Sequence, residues 1–369
     1  MTKCPRLNDK TPQITERKDR NYRNMSKRKN SRKKRNGLIK ATVAFILVIA
    51  AIVYYLFFTA MSRSGESEYL YIDADDNADS VYSKLSPIAT KHSLWAFKKL
   101  ASVKGYGSHI KTGRYQIADE GAFQTFRYIR NGIQAPVNVT INSVRTTERL
   151  AKDISKRLMI TQDELLAALN DSSTCAQYGY TPKTIMCMFI PNTYDFYWNI
   201  SVKTFLERMN GECKKFWTFE RLEKAKSAGL SPIQVVTLAS IVDEETANVD
   251  EMPMIAGMYI NRLNIDMLLQ ADPTVKYANG NFEARRIYNS MLRVDNPYNT
   301  YKYKGLPPGP IRIPSLQAVE AVLNHVHHEY IYMCAKEDFS GTHNFAKTYS
   351  EHMQNAAKYA KALNERGIK

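Results

Sequence analysis

The chain has 369 residues and a formal net charge of +16, and this length predicts about two domains. The charge is unevenly distributed, because residues 1–40 hold 15 Lys and Arg against 3 Asp and Glu, a net +12 that leaves +4 for residues 41–369. The basic character therefore belongs to a tail, whose SKRKNSRKKRN core has almost no apolar content. We expect this tail to be disordered.

An uncharged run of 21 residues follows the tail, from Ala41 to Met61, and is about long enough to cross a bilayer. Tyr54 and Tyr55 lie toward its far end, where aromatic rings favour the membrane interface. The run exceeds a signal-peptide core and no clear small-x-small cleavage motif follows it, so we expect an uncleaved anchor. Positive charge before the span predicts a cytoplasmic N-terminus and an extracytoplasmic (periplasmic) chain after it, in a single-pass protein of the cell (inner) membrane. The tail is thus interpreted as a topology signal, and no nucleic-acid partner is predicted.

Cysteine and histidine show no metal-binding spacing, and neither a metal nor a cofactor is predicted. Four cysteines lie beyond the span, where one or two disulfides and buried free thiols are both compatible with the sequence: Cys175, Cys187, Cys213 and Cys334. The HVHH run at 325–328 is interpreted as a surface cluster.

Alternating strand and helix patterns predict an α+β fold. A polar linker over 62–68 precedes a module over 69–135, and a larger domain follows over 136–369. The module's predicted elements are a strand at Tyr69–Ile72, helices at Asp76–Leu85 and Ser93–Lys104, a strand at Gly113–Ile117 and a helix at Gly121–Asn131 that ends at Gly132. In the larger domain, Pro136–Ile141 is a strand, a helix starts at Thr146 or Thr147, and a capping box at Thr161–Glu164 opens the next helix.

The prediction of function rests on the segment Ser231–Thr246, SPIQVVTLASIVDEET. Ser231 can cap a helix and Pro232 suits its first turn. At helical spacing, an apolar face forms and Glu245 falls inside it, whereas Glu244 points away toward solvent and Asp243 lies at the edge.

A carboxyl among apolar neighbours has a raised pKa and keeps its proton near neutrality, as a general acid requires. The alternative is that the helix ends near Val242 and Glu245 merely caps it or pairs with Arg262.

Six ordered blocks carry a family resemblance. They are FIPNTYDFYW at 189–198, LASIVDEET at 238–246, IAGMYINRL at 255–263, LLQADPTVKY at 268–277, PYNTYKYKGLPPGPI at 297–311 and YIYMCAKEDFSGTHNFAKTYSEH at 330–352. Together they resemble the YceG-like (MltG) endolytic murein transglycosylases. That family implies a single membrane span, a small LysM-like module and a catalytic domain.

The resemblance also implies a reaction: cleavage without water of the MurNAc–GlcNAc β-1,4 bond of peptidoglycan, which leaves a 1,6-anhydro-MurNAc end. It places the catalytic glutamate directly before the threonine of the LASIVDEET block, at Glu245. Asp243-Glu244 replaces the family's usual Glu-Lys, and we expect this extra negative charge to raise the pKa of Glu245 further. Ala271 stands where a small hydroxyl residue is usual.

Other residues of these blocks are candidates for substrate contact. Gln270, Asn299 and Tyr301 offer amides and a polar ring for sugar groups, although ordering of a loop is an equal alternative. Asp272, held extended by the following proline, either orders a loop or touches substrate. His343 and Tyr194 are weaker candidates, with a structural histidine and core packing as the alternatives. The stiff Gly305–Pro310 loop is expected to wall the cleft.

Three functional classes remain open from the sequence. The first is the transglycosylase, which acts on peptidoglycan glycan strands, ends their elongation and meets synthase or divisome proteins. A hydrolase on the same polymer would also need Asp272 or Asp243 as a second carboxylate. A non-catalytic cell-wall-binding anchor would use Glu245 only structurally.

Overall fold

A computed structural model describes residues 12–284 and 286–367, so Cys4 lies outside the described residues. The chain forms two compact units, residues 1–135 and 136–369. Both mix helices with short antiparallel strand pairs, which confirms the predicted α+β class.

The first unit begins with a single long helix, α1 (Pro12–Phe58), which contains an apolar stretch long enough to span a membrane. The expectation of a disordered tail is wrong for residues 12–40, which are helical. Lys, Arg, Gln and Met favour helix, and a helix already nucleated in the apolar run extends at little cost. The helix also ends earlier than the predicted span, at Phe58, and Met61 is fully buried in the core of this unit.

The remainder of this unit confirms the predicted order strand–helix–helix–strand–helix. Its elements are β1 (Glu68–Ile72), α2 (Ala78–Leu85), α3 (Lys91–Val103), β2 (Gly113–Ile117) and α4 (Ala122–Asn131). The two strands pair antiparallel, with Leu70 opposite Tyr115, and both of these side chains point into the core. Helix α4 ends, as predicted, at Gly132, whose φ of 74° is a left-handed conformation that glycine adopts without strain.

The second unit has two hydrophobic cores. The first core is covered by β3 (Val137–Ile141), α5 (Thr147–Ser155), α6 (Gln162–Asn170), α7 (Ser172–Gln177), β4 (Asn192–Phe196) and α8 (Val202–Phe216). Strands β3 and β4 pair antiparallel, and the predicted capping box of Thr161 and Glu164 is present at the start of α6.

Helix α10 (Pro232–Glu245) is the centre of the second core, where eight consecutive residues, 235–242, are buried. The other elements of this half are α9 (Phe219–Ser227), α11 (Met252–Asn264), α12 (Asp272–Ala278), α13 (Asn289–Leu292), α14 (Leu316–Leu323), β5 (Tyr332–Ala335), β6 (His343–Ala346) and α15 (Tyr349–Glu365). Helices α11, α12 and α14 pack against α10. A helix buried along most of its length presents its last turn at a fixed position.

Candidate active site

Helix α10 begins as predicted and continues through Glu245. The Ser231 side chain accepts a hydrogen bond from the Gln234 N–H, the Gln234 side chain accepts one from the Ser231 N–H, and Pro232 occupies the first turn. The helix ends only at Thr246, whose backbone is extended. The alternative in which it ends near Val242 is therefore wrong, and Glu245 is held by helical geometry.

Glu245 is half-buried at this helix end, with one carboxylate oxygen already engaged. The Tyr259 hydroxyl of α11 donates a hydrogen bond of 2.6 Å to Glu245 Oε1. Burial raises the pKa of Glu245 from 4.5 to about 7, and the negative charge of Asp272 raises it as well. The Tyr259 hydrogen bond and the cations Arg262 and Lys276 act in the opposite direction. A side chain with this pKa exists in both protonation states near neutrality.

Arg262 does not pair with Glu245. Its guanidinium is buried, with Nε donating to the Ile331 carbonyl at 2.5 Å and Nη1 donating to the Leu269 carbonyl at 2.6 Å. Among the residues that the structure describes, Arg262 has no ion-pair partner. It therefore ties two loops to α11 and contributes a distant positive charge to the site.

The two acids before Glu245 belong to an ion-pair network. Arg145 binds Glu244 through two hydrogen bonds of 2.9 Å, and Arg312 Nη1 lies 2.7 Å from the same carboxylate. Arg312 also lies 3.3 Å from Asp243, which accepts hydrogen bonds from Ser315. The prediction of a solvated Glu244 is thus wrong, since its side chain is only 16% exposed.

This network also changes the reason for the raised pKa of Glu245. The extra acids were expected to raise it, but the arginines neutralise them, and the charge that raises it is that of Asp272. These partners were not predictable from the local pattern, because Arg145 and Arg312 lie about 100 and 70 residues away along the chain. Tyr259 was missed too, although a tyrosine inside an apolar helical pattern signals a hydroxyl that needs a partner.

Asp272 and Tyr301 form a second pair near Glu245. The Tyr301 hydroxyl donates to Asp272 Oδ1 at 2.6 Å, and the Asp272 charge is close enough to act on Glu245. Asp272 was predicted to lie in an extended loop, whereas it is the first residue of α12 with Pro273 in the first turn. Ala271 is the N-cap of this helix and, lacking a hydroxyl, caps it with no side-chain hydrogen bond.

Gln270 lies exposed beside this pair. Its φ of 48° is in the left-handed region, and its N–H donates to the Thr300 carbonyl at 3.1 Å. The next N–H, that of Ala271, donates to Thr300 Oγ1 at 3.0 Å. The segments that carry Gln270, Asp272 and Tyr301 are therefore tied together, with Gln270 and Asp272 exposed and Tyr301 half-buried.

Three other candidates have structural partners. Asn299 is fully buried, and its side-chain nitrogen donates to the carbonyls of Leu292 and Val294 at 2.9 Å each. Tyr194 is 6% exposed in the first core, and its hydroxyl donates to the Ile190 carbonyl. His343 Nδ1 lies 3.0 Å from Glu251 at the start of α11. This geometry places Asn299 and Tyr194 inside the protein, where neither reaches a surface groove.

A cleft lies between the end of α10 and α12. Its wall is formed by Arg145, Glu244, Pro273, Lys276, Tyr277, Phe282 and Ile311. A second cleft shares Arg145 and Phe282 with it and extends along the segment 142–146 to Arg149. Lys276 lines the first cleft, and its positive charge lowers the pKa of Glu245.

Cysteine and histidine show neither a disulfide nor a metal site within the described ranges. Four cysteines are free thiols, three of them buried: Cys175, Cys187, Cys213 and the half-buried Cys334. In the HVHH run, His325 and His328 lie within hydrogen-bond distance of backbone carbonyls. Across residues 12–284 and 286–367, no group of three metal-ligating side chains converges.

The sequence is similar to bacterial proteins named endolytic murein transglycosylase. A protein of Bacillus subtilis (strain 168) named endolytic murein transglycosylase is 39% identical over 141 residues, which are 38% of this chain and 38% of that protein. The endolytic murein transglycosylase of Streptococcus pneumoniae (strain ATCC BAA-255 / R6) is 26% identical over 300 residues, covering 73% of this chain and 54% of its own length. The chain thus spans about half, or less, of the length of these curated relatives.

The fold is similar to a solved structure as well. The 2.6 Å crystal structure of a YceG-like protein from Listeria monocytogenes matches with a TM-score of 0.51 and 26% identity, over 78% of this chain and 99% of that one. The YceG-like family matches residues 70–358, well over half of the sequence. This match confirms the resemblance carried by the six blocks, and the chain belongs to the YceG-like family.

Proposed function

We propose that the protein is an endolytic peptidoglycan lytic transglycosylase whose catalytic acid and base is Glu245. The observation that carries this proposal is a half-buried glutamate with a pKa of about 7, fixed at the end of a buried helix. Relatives named endolytic murein transglycosylase supply the substrate class. The reaction is cleavage of the MurNAc–GlcNAc β-1,4 bond without water.

Glu245 performs both proton transfers of this reaction. Protonated, it donates its proton to the glycosidic oxygen as the C1–O bond breaks and positive charge develops on the MurNAc ring. The C6 hydroxyl of the same MurNAc then bonds to C1, and Glu245, now ionised, takes the hydroxyl proton. The products are a free GlcNAc hydroxyl and a 1,6-anhydro-MurNAc end, and Glu245 is protonated again. Because the nucleophile is tethered to the sugar, its attack has an entropic advantage over that of water.

Tyr259 and Asp272 set the balance between the two protonation states. The hydrogen bond from Tyr259 stabilises the carboxylate that exists after bond cleavage. The negative charge of Asp272 favours the protonated state before it, and also favours positive charge on the sugar ring. Burial is the largest cause of the raised pKa of Glu245, and these two opposed influences adjust it near neutrality, where an acid that later acts as a base is most effective.

Substrate contacts divide according to exposure. We place Gln270, Asp272 and Tyr301 against the glycan strand, since they lie on segments tied to each other and the Asp272 charge acts on Glu245. Asn299, Tyr194 and His343 support the site from within by ordering loops and core. The strand then passes Glu245 on the side of the exposed Gln270 and Asp272, with the Gly305–Pro310 loop as a wall.

Membrane anchoring and topology complete the proposal. Helix α1 is the single span, with its basic tail in the cytoplasm and the catalytic unit outside, where peptidoglycan lies. The β1–α2–α3–β2 module is LysM-like and brings the enzyme to glycan. The enzyme then ends elongation of nascent strands, with synthase or divisome proteins as its partners.

One observation favours a hydrolase as the second candidate. Asp272 is an exposed carboxylate whose charge acts on Glu245, and a hydrolase requires a second carboxylate close to its acid. Asp243 is not a candidate for this second carboxylate, because its oxygens already bind Arg312 and Ser315.

Mass spectrometry of the products tests the proposal. The full chain in detergent is incubated with intact peptidoglycan, and the new ends are identified. The transglycosylase leaves anhydro ends and loses activity in Glu245→Gln, while a matched surface change, Glu207→Gln, leaves it unchanged. Reducing MurNAc ends would instead establish the hydrolase, and an absence of new ends would leave only the wall-binding anchor.

A further inference from the structure

The end of the apolar helix is built into the first unit. Met61 is fully buried there. The N–H groups of Met61 and Ser62 donate to the carbonyls of Glu120 and Ala118, both at 3.1 Å, and the Met61 carbonyl accepts from the Thr90 N–H at 2.9 Å. The predicted linker over 62–68 therefore starts inside the unit. The helix and the folded module are therefore joined without a flexible linker.

The last turn of α1 packs against the starts of α3 and α4. The Tyr55 ring stacks on His92 with 4.4 Å between ring centroids, and Thr59 Oγ1 lies 2.9 Å from His92 Nε2. The rings of Phe58 and Phe123 are 5.7 Å apart. Helices α3 and α4 thus both begin beside the end of the apolar helix.

Gly121, the N-cap of α4, makes this contact close. A Cβ atom at this position would collide with the Phe57 carbonyl and with the Phe58 backbone. The module is consequently fixed against backbone atoms of α1 as well as its side chains.

The length of the apolar helix leaves the module no room to stand away from a bilayer. Lys40 is the last charged residue before the run, and Phe58 ends the helix 18 residues later. At about 1.5 Å per residue this length is about 27 Å, slightly less than the roughly 30 Å of a hydrocarbon core. With Lys40 at one face, Phe58 reaches only to the other interface, and so do the residues that pack against it.

The module carries exposed aromatic rings at the starts of α3 and α4, beside the end of α1. A basic residue follows each ring one helical turn later. Trp95 is 49% exposed and Phe123 is 40% exposed. Four residues further along the same helices are the exposed Lys99 and Arg127, and Lys99 Nζ lies 5.6 Å from the centroid of the Trp95 ring. Tryptophan favours the membrane interface, and basic side chains favour the phosphates above it.

We propose that these side chains, the aromatic collar of Tyr55, Phe58, Trp95 and Phe123, lie in the outer interface of the bilayer with Lys99 and Arg127 facing lipid phosphates. The first unit is then docked on the membrane surface rather than tethered above it. This inference rests on the proposed role of α1 as a span. Asp119 and Glu120 lie in the turn before α4, so the charge near the exit is mixed and the rings carry the contact.

Depth-dependent quenching of tryptophan fluorescence tests the collar. The full chain is reconstituted in nanodiscs of phosphatidylcholine and phosphatidylglycerol, with a nitroxide on acyl carbon 5 or on acyl carbon 16. The emission of Trp95 is obtained as the difference between the unmodified chain and Trp95→Phe, which cancels Trp198 and Trp217. We expect the shallow nitroxide to reduce this difference at least twofold and the deep one to reduce it less.

Two further variants serve as a second reporter and a matched control, both in the Trp95→Phe background. Phe123→Trp should be quenched like Trp95. Val103→Trp, which is 80% exposed at the far end of α3 and roughly 12 Å beyond Trp95, should not be quenched.

The outcomes separate the collar from the span. A chain that co-elutes with nanodiscs while the Trp95 difference signal is insensitive to either nitroxide overturns the docked arrangement alone. A chain that does not co-elute with lipid overturns the span and the collar together.

Discussion

Replacing Glu245 by glutamine should stabilise the protein at alkaline pH. Burial raises the pKa of Glu245 in the folded protein from 4.5 to about 7. Between these two values the folded state binds more protons than the unfolded chain, so this group's contribution to stability falls as the pH rises. The contribution is intact below pH 4.5 and is lost once the pH exceeds about 7.

The size of this loss follows from the shift. At about 1.4 kcal/mol per pKa unit, ionising Glu245 in the folded state lowers the free energy of unfolding by up to about 3.5 kcal/mol. This is an upper limit, because the side chain keeps some exposure to water. Glutamine has no charge at either pH, so the stability of Glu245→Gln relative to the unmodified chain should increase by about 2 kcal/mol between pH 5 and pH 8.

Urea unfolding at the two pH values measures this difference. Trp198 and Trp217 lie in the second unit, so their emission in a Trp95→Phe background follows that unit alone. Glu207→Gln, at a surface position with a 51% exposed side chain, is the matched control and should show no such pH dependence. A constant difference between Glu245→Gln and the parent at pH 5 and pH 8 would refute the raised pKa.

Three further changes test the partners of Glu245 and the loop behind it. Tyr259→Phe removes a hydrogen bond to the carboxylate worth about 1.5–3 kcal/mol, so the alkaline limb of the pH–activity profile should move up by about one unit or more; an unmoved limb would contradict the contact. Asp272→Asn removes a charge that raises the pKa of Glu245, so the same limb should move to lower pH while anhydro products persist; complete loss of activity would favour the hydrolase. Asn299→Ala leaves two partly buried carbonyls without their donor, and urea unfolding should show a loss of roughly 1–3 kcal/mol with KM unchanged; a raised KM at full stability would instead indicate substrate contact.

The features that depend on local sequence patterns were predicted correctly. The Ser231–Pro232 start of α10 and the direction of Glu245 follow from capping chemistry and helical periodicity, and both are present. The strand–helix order of the module follows from the same rules. These features depend on neighbours within a few residues, which a sequence displays directly.

Features that depend on distant partners were not predictable. Glu244 looked solvated on a helical wheel, yet Arg145 and Arg312 reach it from other parts of the chain. Asn299 looked like a sugar ligand, yet the carbonyls of its own loop use its amide. A helical wheel gives the direction of a side chain, but only the tertiary fold determines which groups contact it.

Isotope incorporation tests the central claim most directly. The full chain digests intact peptidoglycan in water enriched in ¹⁸O, and the masses of the new MurNAc ends are measured. If the C6 oxygen bonds to C1 while Glu245 takes the hydroxyl proton, the new ends lack one water and contain no ¹⁸O, and Glu245→Gln gives no new ends. New ends that carry ¹⁸O, or full turnover by Glu245→Gln, would contradict the account.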